Sequence, residues 1–253
     1  MAEFEQKSVY DMQDLLQIVA LLRSPDGGCP WDIQQTHESI KMNFLEEAYE
    51  VTDAIEQADS HMLCEELGDV LLQVAFHAQI ETEASTFSFG DVTDGICKKL
   101  IYRHPHVFGD VVAETSGEVL QNWEALKRAE KGRLTAKENL SSVPKNLPAL
   151  LRAEKLSKRA GDCGVQFASP AAALDALEMS IKHLREAIAD GTDAAKKDEL
   201  GDVLLGTAHV ARLLKINAEE ALGHASDAFT ARVVALQDAP PCEEANKAAL
   251  QRI

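Results

Sequence analysis

The stretch from Leu45 to Leu72, LEEAYEVTDAIEQADSHMLCEELGDVLL, limits what this chain can fold into more than any other. Glu46-Glu47-x-x-Glu50 and Glu66-x-x-Asp69 sit inside segments that otherwise read as core helix. Spacings of three and four place the acids of each group on neighbouring turns of one helix face. A break falls at Gln57-Ala58-Asp59-Ser60, where Ser60 is expected to cap the second helix. Folded as an antiparallel hairpin about Ala58, the chain brings Glu47 level with Asp69 and Glu50 level with Glu66. Four carboxylates facing one another repel and resist desolvation. Something positive must lie between them, and hard oxygen donors favour Mg²⁺, Mn²⁺ or Ca²⁺.

The rest of the chain reads as helix too, so the fold class is all-α. Apolar residues make up 45% of 253, enough for a sizeable core, while aromatics are only 5%; Ala and Leu, both strong helix formers, dominate. The formal charge of −17 argues against non-specific binding to nucleic acid or an anionic membrane. An acidic protein still binds an anionic substrate when metal ions bridge the two. No apolar run is long enough to span a bilayer, and the N-terminus lacks the pattern of a signal peptide. Five scattered cysteines, without a C-x-x-C pair, point to a reduced, cytoplasmic setting rather than structural zinc.

Helical periodicity predicts helices over 9–23, 35–58, 60–83 and up to Arg103, the last capped by Asp91. Ser24 to Pro30 reads as a Gly- and Pro-rich break leading into Trp31-Asp32, and His104 to Gly109 as the end of the fourth helix. Thr115-x-x-Glu118 is a capping box for a fifth. The polar segment 132–148, with two prolines, is the expected linker between domains 1–131 and 149–253. Beyond it the pattern predicts helices at 150–160, 171–189, 193–214 and 217–237, and a partly ordered tail from Ala239.

The second half reads as a degenerate copy of the first. Glu66-Leu67-Gly68-Asp69-Val70-Leu71-Leu72 reappears as Glu199-Leu200-Gly201-Asp202-Val203-Leu204-Leu205. In the same alignment Glu46, Glu47 and Glu50 fall on Met179, Ser180 and His183. The copy keeps the packing pattern and loses three acids, so the hairpin does not need them to form. Gly68 and Gly201 cost helix stability, and close helix–helix approach is the expected reason. Lys99 and Arg103, four apart on one helix face, suit phosphate oxygens. An ordinary basic pair at a helix C-terminus would look the same. The copy, however, keeps only the arginine, Arg232, and has Ala228 where Lys99 stands.

These residues, with Cys29-Pro30-Trp31-Asp32, Arg103-His104-Pro105-His106-Val107-Phe108-Gly109-Asp110 and Trp123-Glu124-x-x-Lys127, resemble the MazG nucleoside triphosphate pyrophosphohydrolases over nearly the whole chain. The resemblance implies tandem helical repeats whose hairpins pair into four-helix bundles in a homodimer. It implies the reaction NTP + H₂O → NMP + diphosphate with Mg²⁺. By position, Glu47, Glu50, Glu66 and Asp69 resemble the metal ligands, and Lys99 and Arg103 the triphosphate-binding pair. Lys127 resembles a further phosphate contact, and Trp123 a wall or stacking surface for the nucleotide. Glu46 is a candidate orienter or water-activating base. Met179, Ser180, His183 and Ala228 depart from the pattern, which points to the first half as the active one.

Three other readings are weaker. A di-iron carboxylate bundle needs Glu-x-x-His, which does not occur. P-loop chemistry has no G-x-x-x-x-G-K-S/T to support it. A non-catalytic helical dimerisation scaffold remains the main alternative, and the intact acids of the first half argue against it.

Overall fold

The computed structural model describes residues 4–132 and 135–237, and among these every regular element is a helix. The expected partly ordered tail from Ala239 lies outside the described residues. The chain forms two compact units, Met1–Lys127 and Arg128–Ile253.

In the first unit, α1 (Met12–Leu22) opens on Asp11, whose side chain accepts from the backbone N–H groups of Gln13 and Asp14 while Asp14 reciprocates. The break after it contains a short helix, α2 (Pro30–Gln34), that periodicity did not reveal; five residues are too few to show a period. Helix α3 spans His37–Glu56 with Thr36 as its cap, two residues inside the expected bounds at each end. Helix α4 spans Ser60–Glu83. Its cap is Asp59 rather than Ser60: the Asp59 carboxylate accepts from the N–H groups of His61 and Met62, and Ser60 is already helical. Likewise α5 (Phe89–Arg103) is capped by Ser88, and Asp91 is the third helical residue closing a capping box. Both corrections have one cause. A cap needs extended backbone, and the residue that adopts it stands one or three positions upstream of the one chosen.

The α3–α4 connection is tight. Asp59 N–H donates to the Ala54 carbonyl and Ala58 N–H to Ile55, with Ala58 at φ +54°. This is a left-handed helix terminus of the kind glycine usually makes. The core of the unit is Val19, Ile40, Ala75 and Phe76, flanked by Leu15, Leu16, Leu72 and Ile80, so α1 and α3 both pack on α4. Two polar ties reinforce it. Arg23, only 8% exposed, donates to both carboxylate oxygens of Glu83 and to the carbonyls of Asp32 and Gln35, and lies over the Phe76 ring. That one guanidinium joins the ends of α1, α2 and α4. His37 Nδ1 lies 2.7 Å from His77 Nδ1, and His37 Nε2 lies 2.6 Å from Glu81.

Downstream, the short helix α6 (Pro105–Phe108) follows where only a terminus is expected, and α7 (Ser116–Lys131) starts from the Thr115–Glu118 capping box. In the second unit, α8 (Ala136–Ser141) lies inside the segment read as linker. Helices α9 (Ala149–Asp162), α10 (Pro170–Asp190), α11 (Asp193–Leu213) and α12 (Ala218–Gln237) follow near their expected bounds. α10 pairs with α11, and α9 packs on α11 and α12.

The glycine expectation fails. Among the described residues a Cβ at Gly68 or Gly201 would meet nothing within 4 Å, so neither marks a close approach of the described helices. The close approach lies farther along α11 at Gly206, where a Cβ would come within 3.1 Å of Leu177 Cδ1 on α10.

Candidate metal centre

Pairing of α3 with α4 about the Ala58 turn brings the four predicted acids together. Glu47, Glu66 and Asp69 each place a carboxylate oxygen within 4.8 Å of the others. Glu50, one turn on from Glu47 along α3, adds a fourth carboxylate whose charge acts on both Glu47 and Glu66. All four are half-buried, whereas Glu46 is exposed, as helix geometry requires of a neighbour turned about 100° away. The setting is wetter than the sequence implied, because Leu45 and Tyr49 on α3 and Leu67 and Leu71 on α4 are also exposed.

The electrostatics express the crowding. Loss of hydration comes first and the charges of Asp69 and Glu50 next in holding Glu47 above the ordinary carboxylate range. Glu66 is raised in the same way, by lost hydration and then by Glu50. Crowded carboxylates that have lost hydration bind protons more tightly than isolated ones, which is the direction of both shifts. A divalent cation relieves the same repulsion. The donor set is all oxygen and strongly anionic, which fits Mg²⁺, Mn²⁺ or Ca²⁺ and disfavours metals that select sulfur or imidazole. Among the described residues no other group of three or more acids, histidines or cysteines is arranged to hold an ion. The matching position of the second unit is different: His183 Nδ1 lies 4.0 Å from Glu199, an imidazole where α3 carries Glu50.

The predicted cations separate. Lys99 is exposed on α5, while Arg103, one turn on, is 8% exposed. Arg103 lies over the ring of Trp123 from α7, at 5.5 Å from its centre, and Lys127 lies over the same ring at 4.3 Å. Arg103, Trp123 and Lys127 therefore form one cluster joining α5 to α7, and Lys99 is not part of that ring contact. The His37–His77–Glu81 array was not singled out from the sequence. Its only trace there is a spacing of four between His77 and Glu81 on α4, and the third member comes from another helix.

No described helix is long and apolar enough to cross a membrane. The family model described as "MazG nucleotide pyrophosphohydrolase domain" matches residues 35–108, which takes in all four acids, Lys99 and Arg103 but stops short of Trp123. The chain is 41% identical over 222 residues to a nucleoside triphosphate pyrophosphohydrolase of Escherichia coli (strain K12), covering 86% of this chain and 84% of that protein. It is 38% identical over 226 residues to the nucleoside triphosphate pyrophosphohydrolase/pyrophosphatase MazG of Thermotoga maritima, covering 89% and 85%. A nucleoside triphosphate pyrophosphohydrolase of Mycolicibacterium smegmatis is 35% identical over 193 residues, covering 73% and 59%.

Proposed function

This chain belongs to the MazG nucleotide pyrophosphohydrolase family, and on that premise we propose that it hydrolyses nucleoside triphosphates to the monophosphate and diphosphate at the acid cluster of its amino-terminal half. The observation that supports this placement is the convergence of Glu47, Glu50, Glu66 and Asp69 across one hairpin, where the matching places in the second hold Ser180, His183, Glu199 and Asp202 and so keep two of the four acids.

In this reading the four carboxylates hold Mg²⁺, with Mn²⁺ as a substitute. Bound there, the cation would supply positive charge to the reacting phosphate and offset the negative field of a −17 protein. Glu46, exposed on α3, is in this reading the residue that orients water or takes its proton. Lys99, Arg103 and Lys127 bind the β- and γ-phosphates and stabilise the departing diphosphate, with Trp123 as a wall of that subsite. The second half, read as a degenerate repeat, contributes packing. A homodimer completes a four-helix bundle on the α3–α4 hairpin; the exposed Tyr49, Leu67 and Leu71 support that, as does open space at Gly68. Four described cysteines are unpaired, which suits the cytoplasm.

The test is a panel of ribo- and deoxynucleoside triphosphates, with and without Mg²⁺, assayed for diphosphate and orthophosphate separately. Diphosphate in equal amount to monophosphate is the expected product; orthophosphate release, or activity untouched by chelation, overturns the reading.

A further inference from the structure

A nucleotide's base and its phosphates need different things from a protein: the base an uncovered aromatic face, the phosphates fixed cations. Trp123 is the one aromatic residue assigned to the proposed phosphate subsite, and its ring is not a bare face. Lys127 Nζ lies 4.3 Å from the ring centre and the Arg103 guanidinium 5.5 Å from it. Both distances fall in the range where the negative face of an indole attracts a cation. The two cations come from different elements. Lys127 stands four residues on from Trp123 along α7, whereas Arg103 ends α5 and is 8% exposed, the least exposed residue of that helix. Two positive side chains brought to one place repel, and long side chains lose rotamer freedom when fixed. A shared indole lowers both costs.

We infer that Trp123 is a positioning residue that brackets Arg103 and Lys127 into one preformed anion subsite, and that it recognises the polyphosphate through them rather than the base by stacking. The inference rests on the proposed reaction for its substrate, but it makes a separate claim about which part of that substrate the ring senses. It follows that a ligand with no base must feel the loss of the ring as strongly as a nucleotide does. Phenylalanine, which keeps a π face, must replace tryptophan far better than leucine, which keeps only bulk.

The experiment uses the full chain loaded with Mg²⁺ and compares wild type, W123F and W123L. Calorimetric titration with inorganic tripolyphosphate reads anion affinity without a base, and steady-state monophosphate formation gives KM and kcat for a nucleoside triphosphate. The expected result is a roughly three- to tenfold weaker tripolyphosphate affinity in W123L, an equal rise in KM, and W123F within about twofold of wild type. Thermal melts of the three proteins should agree, because the ring is only partly buried. If KM rises in W123L while tripolyphosphate affinity holds, the ring reads the base and the inference fails. It fails equally if neither quantity moves, or if W123F is as impaired as W123L. A wild-type protein that binds tripolyphosphate but forms no monophosphate overturns the proposed reaction instead, and the three titrations still decide the role of the ring.

Discussion

Glu47 and Glu66 carry the clearest residue-scale consequence, because both are held above the ordinary carboxylate range. A raised folded-state pKa means that the metal-free fold binds protons more tightly than the unfolded chain. Stability contributed by those protons is therefore lost as pH rises through the folded values. A cation must displace the same protons, so Mg²⁺ affinity should increase with pH across that range and level off once both groups are ionised. Titrations in buffers of different ionisation enthalpy should show proton release on the acid side only. Glu50→Gln and Asp69→Asn should lower diphosphate release about a hundredfold or more, since the charge they help to place stabilises the transition state by several kcal/mol. His183→Ala should leave the rate unchanged. The acids were legible in the sequence because facing residues of a hairpin follow from counting outward from its turn. The Arg103–Trp123–Lys127 cluster was legible only as a set of names, since neither the span from α5 to α7 nor the ring contact is encoded in spacing.

At the scale of elements, the hairpin that carries the acids depends on its ends. Arg23, at the end of α1, holds α2 and α4 by one guanidinium, and its hydrogen bonds keep the Glu83 carboxylate below its ordinary range. The sign here is the reverse of that at Glu66. The depressed pKa contributes stability above the ordinary carboxylate value, and this is lost as pH falls through the folded one. Arg23→Ala should cost ~2–3 kcal/mol in urea unfolding, less than for a fully buried pair because the Glu83 side chain is 37% exposed. Ala58 works the other way. At φ +54° it bears a Cβ in the left-handed region, so Ala58→Gly should add ~0.5–1 kcal/mol without changing catalysis. Helix existence was readable from period, and the caps at Asp59 and Ser88 were not. Serine and aspartate stand side by side at the first and three apart at the second, and only backbone conformation separates cap from first turn.

For the whole molecule, the exposed apolar residues of α3 and α4 have no cover among the described residues. If a second copy covers them, light scattering should give twice the chain mass, and Leu71→Asp should halve it and take diphosphate release with it. Sequence periodicity could say that α4 is apolar but not which apolar stripe meets its own chain, because Ala75 and Phe76 inside and Leu67 and Leu71 outside belong to one continuous pattern. Gly68 stands on that outer stripe with nothing within reach of an added methyl group. In a solitary chain, alanine there could only help, by about 1 kcal/mol, through the stiffer backbone it gives a helix. Against a neighbour pressed onto the stripe it would intrude. Dilution of Gly68→Ala thus turns one methyl group into a gauge of crowding: a benefit in the thinnest solutions that shrinks, then reverses, as molecules meet.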